Sequence, residues 1–469
     1  MMKMKRYDLI VIGGGAAGFA AVMEADEIGA KTLMINDNTV GLGGTCVNVG
    51  CVPSKYLLHI SKIMHDSQRN SLYEIKSEVS FDFKTIMKEK DSLVDELKNE
   101  KYEKVLGNLK NVEFVRGKAE FISKAEIKVA DNIYTAPGFI IATGSSTFIP
   151  SIKGIDEVNY MTNIETLNLK KLPKSMIVIG GGALGLEFSQ IFSRFGTKVY
   201  VLEAKKRIVP NAEPELSILL KKYLKEEGIE IMTNARVIEV SKDHENVVVN
   251  VILDDKEKTI TAERLLLAVG RKANTSSLSL EKTDVKLGSK KEIKVDDEMK
   301  ASNEIWAGGD VTGEPMLETV AAREGMIAAN NALSSEKIKM NYDVVPRAVF
   351  TDPQLASVGL TDKEVNEEGI TCNCNTVTMN LIPKARVINE VRGAIKLVVD
   401  KKTEEIKGVH VLASSAADLI HEGVMIVKNK MTINDVVNTL HIFPTISEGI
   451  KLAAQSFKRD ISKMSCCAE

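Results

Sequence analysis

Apolar and polar positions alternate in blocks along most of the chain. Residues Tyr7 to Ile12 (YDLIVI) form an apolar run that predicts a strand buried on both faces. A helix-periodic stretch follows over Ala16 to Ile28, then a second strand over Lys31 to Ile35. The same order returns at Met176 to Ile179, Ala183 to Phe195 and Val199 to Leu202. Each set predicts a βαβ unit with parallel strands. Ile140 to Gly144 (IIATG) and Leu265 to Arg271 (LLLAVGR) are strands ending in small residues, and each can close such a unit. Ile305 to Asp310 (IWAGGD) places an acid after a glycine pair at a strand end. From Val345 onward the texture changes: alternation such as Ala394 to Val399 (AIKLVV) predicts an antiparallel sheet, with helices near Ala416 to Lys428 and Thr445 to Phe457. The stretch from Met64 to Leu109 is long, charged and helix-prone, with a solvated face.

The turns carry the first chemistry. Gly13, Gly15 and Gly18 stand in the spacing GxGxxG where the first strand meets its helix, and Gly180, Gly182 and Gly185 repeat it. The first glycine permits the tight turn, the second lets a pyrophosphate approach the backbone, and the third lets helix and strand pack closely. Free N–H groups of the helix N-terminus then face the phosphates. One such motif is weak; two, each framed by strand and helix, imply two dinucleotide sites. Glu203 ends the second strand of the second unit, where an acid holds a ribose 2′-hydroxyl and disfavours a 2′-phosphate. Lys205, Lys206 and Arg207 follow and can grip that phosphate, so NADH and NADPH both stay open, with NADH expected to be accepted at least comparably. In the first unit the corresponding strand ends at Asn36, followed by Asp37, and either can reach a ribose. Asp310 can accept hydrogen bonds from sugar or ribityl hydroxyls.

The length, 469 residues, suggests about three domains. Sixty-two Lys and Arg against 64 Asp and Glu leave a net charge of −2, which argues against a nucleic-acid binder or a polybasic membrane anchor. No stretch approaches the ~20 apolar residues of a membrane span, and the apolar segment after Arg6 is too short for a signal peptide. A cytoplasmic protein is expected. Six cysteines in a chain of this length do not make a disulfide scaffold. They fall in three close pairs: Cys46 and Cys51, Cys372 and Cys374, Cys466 and Cys467. In a reducing compartment such pairs point to redox or metal chemistry. Cys46 and Cys51 can lie about one helical turn apart and close into a disulfide. Cys372 and Cys374 share one face of an apparent strand; they are expected to be incidental thiols, with a second soft-metal site as the alternative.

The segment Gly43 to Lys55 (GGTCVNVGCVPSK) resembles the redox-active site of the flavoprotein pyridine nucleotide-disulfide oxidoreductases. The resemblance extends over both glycine motifs, IIATG, LLLAVGR, IWAGGD and the C-terminal region. It implies an α/β fold with two Rossmann-like dinucleotide-binding domains, for FAD and NAD(P), and an α+β C-terminal dimerisation domain. The expected partition is 1–150 and 271–341 for FAD, 151–270 for NAD(P), and 342–469 for the interface. It further implies a homodimer using FAD and NADPH or NADH. Cys51 would be the thiol nearest the flavin and Cys46 the one that exchanges with substrate. Lys55 would sit beside the flavin, paired with Glu187. Thr45, Gly144 and Gly270 join the glycines, Asn36 and Asp310 as cofactor contacts.

Reductases of small disulfides in this family carry His-Pro-Thr with a Glu five residues after the His, which moves a proton to and from a thiol. Here the segment reads Phe443-Pro444-Thr445-Ile446-Ser447-Glu448. Phenylalanine accepts no proton, and His441 is two positions off, an ordinary partly buried histidine. With EGIKLAAQ and a terminal Cys466-Cys467, the chain is similar to the mercuric reductases within the family. That similarity implies reduction of thiol-bound Hg(II) to Hg(0). The ion would pass from Cys466 and Cys467 of the partner subunit to Cys46 and Cys51. Tyr102 matches a tyrosine the subgroup places at the metal site, and Glu448 the acid of the interface helix. Two other readings remain: a dihydrolipoamide dehydrogenase-like reductase, and a non-catalytic soft-metal-binding flavoprotein.

Overall fold

The computed structural model describes residues 4–69 and 78–465. Its first sheet is five-stranded and wholly parallel, in the order Ile305–Ala307, Gly138–Ile141, Leu9–Ile12, Thr32–Asn36, Val112–Arg116. A parallel sheet must be covered on both faces, and period-two side-chain alternation sends alternate residues to different covers. Leu9 and Val11 pack with Phe19, Val22 and Ile327 under the helices Ala16–Ile28 and Glu318–Leu333. Ile10 and Ile12 pack with Phe121, Ile127 and Tyr134 against a small sheet. That sheet includes Met4–Arg6 and Asn132–Thr135, paired in parallel. The expected strand over Tyr7 to Ile12 therefore begins only at Leu9. The reason is a crossing between sheets: Asp8 accepts a hydrogen bond from the Lys31 amide at 2.9 Å as the chain passes over.

The second glycine-led unit builds a second parallel sheet. Its order is Tyr160–Met161, Arg264–Leu267, Ser175–Ile179, Lys198–Glu203, Glu230–Thr233. Met176, Val178, Val199 and Val201 face a core shared with the helices Ala183–Arg194 and Pro214–Glu226. Ile177, Ile179 and Leu265 face a three-stranded antiparallel sheet over 235–262.

The C-terminal part is an antiparallel sheet in the order Arg347–Val349, Gln354–Gly359, Ile406–Ala413, Ala394–Asp400, Cys372–Thr378. Helices Ala416–Lys428, Ile433–Asn438 and Glu448–Gln455 bury Leu419, Val436 and Ile450 against it. The last is shorter than the expected Thr445 to Phe457, and at its start the Thr445 hydroxyl accepts from the Glu448 amide at 3.2 Å and so caps the helix rather than joining it. Cys372 and Cys374 lie on the edge strand and are joined as a disulfide, a correction to the expectation of incidental thiols. Residues two apart on one strand face bring their Cα atoms to 6.1 Å, within disulfide reach. No helix among the described residues is long and apolar enough to cross a membrane.

Candidate active site

Both glycine turns are dictated by close backbone approach. A Cβ on Gly13 would stand 2.0 Å from the Ala142 carbonyl oxygen, and one on Gly18 would stand 2.1 Å from the Gly13 carbonyl oxygen. The second turn repeats this: Gly180 against Ala268 at 2.3 Å, Gly185 against Gly180 at 2.0 Å. Gly182, just before the helix Ala183–Arg194, faces free space, as do Gly144 and Gly270 at positive φ where their strands end. Gly15 comes near only Gly44. These bare cradles suit extended phosphate-bearing cofactors. Asn36 closes the first one: it packs against Gly14, and its Nδ2 is buried without a hydrogen-bond partner. A ribose hydroxyl in that cradle would satisfy it. Asp37 instead accepts from the Thr39 amide and hydroxyl, at 2.9 and 2.7 Å, in a local turn. In the second cradle Glu203 is buried and accepts from the Gly181 amide at 2.7 Å and the Lys205 amide at 2.8 Å. The Nε of Arg207, nearby in sequence, is buried and unpartnered.

Cys46 and Cys51 do not share one helix. The helix Gly44–Val49 ends at Gly50, whose backbone (φ −138°, ψ −113°) breaks it, and Cys51 opens the next helix, Cys51–Arg69. Thr45 and Cys46 are half-buried on the short helix. Gly50 sits too close to Thr45 and Cys46 for a Cβ. The Cys46 thiol donates a hydrogen bond to the Cys51 sulfur, which is the largest effect holding Cys51 down to about 7. Burial opposes the shift and the Lys55 ammonium reinforces it. The same hydrogen bond and burial push Cys46 far up. The pair is thus polarised into one thiolate, at a helix N-terminus, and one thiol.

Lys55 sits one turn along that helix. Its Nζ donates to Glu187 Oε2 at 2.8 Å and lies 4.4 Å from the centre of the Phe350 ring. Glu187, buried on the helix Ala183–Arg194, also accepts from the Phe350 amide at 3.0 Å. Tyr102 lies in a π-helical turn, Asn99–Glu103, with its ring edge-on to Phe19 at 4.8 Å. A Cβ on Gly43 would strike that ring at 2.9 Å, so the tyrosine lies on the redox turn. Burial, then the charges of Cys46, Glu318 and Cys51, push its hydroxyl up and keep it a neutral donor. Asp310 Oδ2 accepts from Ser145 Oγ at 2.5 Å, and Arg271 donates through Nε to that same Oγ at 2.6 Å.

Glu448 stands apart from this cluster, on the interface helix, with Oε2 buried and unpartnered, and burial pushes its carboxyl up. His441 donates through Nε2 to Glu422 Oε1, 2.7 Å away, and Phe443 is 53 % exposed. Cys466 and Cys467 lie outside the described residues. Phe350, Glu318, Ser145 and Arg271 were given no role from the sequence. Arg271 ends the LLLAVGR segment and was visible there; the other three carry no local signal.

A family model for the pyridine nucleotide-disulphide oxidoreductases matches residues 7–325, and one for their dimerisation domain matches 345–454. This chain belongs to that family. It is an FAD-dependent oxidoreductase with the family's mixed α/β fold. Mercuric reductases of Bacillus cereus and Streptomyces lividans are 40% and 37% identical to it, each over 98% of this chain and over 73% and 98% of their own lengths. A dihydrolipoyl dehydrogenase of Thermus scotoductus is 34% identical over 97% of this chain and 98% of its own. Among solved structures, the HOCl-induced flavoprotein disulfide reductase RclA from Escherichia coli, in a Cu(II) complex, superposes with a TM-score of 0.87 at 28% identity, covering 97% of this chain and all of that one.

Proposed function

We propose that this oxidoreductase reduces thiol-bound Hg(II) to Hg(0), with reduced nicotinamide as electron donor. The observation that carries the reading is Phe443, an exposed aromatic where small-disulfide reductases need a proton-shuttling histidine. Exchange of a metal between thiolates needs no strong general acid. FAD, held by the Gly13–Gly18 turn, Asn36, Thr45, Gly144 and Asp310, would supply two-electron transfer between the nicotinamide and the cysteine pair. The Gly180–Gly185 turn, Glu203 and Gly270 would hold the nicotinamide dinucleotide. Cys51 serves as the thiolate poised by Lys55, and Cys46 as the thiol that meets incoming substrate. Glu187 positions Lys55, and Tyr102 lines the metal's approach. Cys466 and Cys467 of the partner subunit hand over the ion in a homodimer. Segments 1–150 and 271–341 form the FAD domain, 151–270 the nicotinamide domain and 342–469 the interface.

The test is Hg(II)-dependent NAD(P)H oxidation under excess thiol, with Cys466→Ser/Cys467→Ser beside wild type. Wild type should oxidise the nicotinamide only when Hg(II) is present, and the double variant should slow as competing thiol is lowered. No Hg(II)-dependent oxidation sinks the reading, and lipoamide turnover at ordinary rates supports the dihydrolipoyl alternative suggested by the Thermus relative.

A further inference from the structure

The third cysteine pair lies far from the redox turn and has surroundings of its own. Cys372 and Cys374 are half-buried on the outermost strand of the C-terminal sheet, which among the described residues pairs only with Ala394–Asp400. Asp362, on the helix Asp362–Glu367, brings Oδ1 to 3.0 Å from the Cys372 sulfur. The two sulfurs and one carboxylate oxygen lie within 4.8 Å of one another. The neighbouring charges favour a cation. Lys396, buried, contacts Glu213 at 2.8 Å, Glu215 at 3.1 Å and Asp362 at 3.8 Å, so three carboxylates share one ammonium. Burial holds nearby His410 neutral. Two thiolates added to this corner would deepen its negative charge, and a dication would relieve it.

We propose that Cys372, Cys374 and Asp362 form a second, redox-gated site for a soft divalent cation. As a disulfide the pair is closed. A small dithiol opens it, giving two electrons and two protons to the sulfurs and itself becoming a cyclic disulfide. A soft dication arriving as a bis-thiolate complex then exchanges. Two metal–sulfur bonds form, two break, and the displaced ligands leave as two thiols carrying the two protons. Asp362 supplies the third ligand through Oδ1, while its Oδ2 stays 3.8 Å from the Lys396 ammonium. The site stands independently of Hg(II) reduction at the redox turn.

The experiment uses FAD-loaded full-length protein with Cys46, Cys51, Cys466 and Cys467 changed to serine, and no nicotinamide. This background leaves only the proposed pair, so failure of Hg(II) reduction cannot alter the outcome. Before reduction, thiol titration should find no free thiol; after dithiol treatment and its removal, two. Cd(II) should then raise an ultraviolet thiolate charge-transfer band at one ion per chain. Further Cys372→Ser/Cys374→Ser should abolish it, and Asp362→Asn should weaken Cd(II) by about tenfold or more. Retained flavin absorbance shows that each variant is folded. Two reduced thiols that raise no Cd(II) band would make the pair a structural disulfide only and overturn the proposal. Cd(II) binding undiminished by Asp362→Asn would remove the third ligand and overturn the site as drawn.

Discussion

At the scale of single residues, the reactivity of the redox turn rests on how Cys51 is held as a thiolate. The hydrogen bond from Cys46 contributes most and the Lys55 charge less, with burial opposing both. Each stabilises the charged form, so removing either should raise the titration midpoint. In reduced enzyme, alkylation of Cys51 should follow a midpoint near 7 in wild type. Cys46→Ala should raise it more than Lys55→Met; an unchanged midpoint in both would show that neither group poises the sulfur. Glu203 sets a second residue-scale expectation. Its carboxylate already holds the Gly181 and Lys205 amides, and in the proposed cofactor site its charge would lie beside the ribose. NADH should support turnover at least comparably to NADPH, and Glu203→Ala should shift preference toward NADPH. Steady-state kcat/KM for both nucleotides checks this, and a strong wild-type preference for NADPH would refute it.

At the scale of elements, the helix Ala183–Arg194 joins parts that lie far apart in the chain. Near its start Glu187 holds Lys55 of the redox helix and the Phe350 amide of the interface sheet. At its end Arg194 is buried and donates to Glu227 Oε1 and Asp352 Oδ2, each at 2.8 Å, with Arg392 closing the network. Burial alone would raise Asp352, but Arg194, Lys62 and Arg392 overcome it and hold the carboxyl well below its usual range. Arg194→Met would leave two buried carboxylates short of their main counter-ion, a loss of about 3–5 kcal/mol. A lowered urea midpoint at neutral pH is the expected result. Because the folded carboxyl is depressed, its stabilisation is present above the ordinary Asp value near 4 and is lost as pH falls through the folded value. The gap between wild type and variant should therefore narrow in acid, and a gap independent of pH would show that the effect is packing.

At the scale of the whole molecule, an apolar stretch near the C-terminus stands exposed in the single chain. Leu440 and Ile442 are 83% and 80% exposed, next to Phe443, within the part matched by the dimerisation-domain model. Burying such a stretch is worth more than leaving it in water, by ~25 cal/mol per Å² of apolar surface. A second copy of the chain is the partner the family's dimerisation domain supports. Leu440→Asp/Ile442→Asp should convert the dimer to monomer in sedimentation velocity and, if the proposed function holds, lower Hg(II) turnover, because the proposed hand-over between subunits would be lost. A monomeric wild type would contradict this assembly.

The sequence by itself determined what depends on neighbours within a few positions. The glycine spacings imposed both strand-to-helix turns, and the helices starting at Ala16 and Ala183 begin where the pattern placed them. The parallel regions were legible from their short unbroken apolar runs, whereas the antiparallel strand Ala394–Asp400 is also buried on both faces and only its Lys396 made it look alternating. The Gly43–Lys55 motif was legible as a resemblance. Tertiary structure decided the rest, because packing joins residues that share no local pattern. Glu187 reaches Lys55 across 132 positions and Phe350 across 163. The break at Gly50 brings that residue so near Thr45 and Cys46 that no Cβ fits there, which spacing does not show. The bond between Cys372 and Cys374, and the acid beside it, came only from strand geometry and the fold of the helix Asp362–Glu367 over that edge.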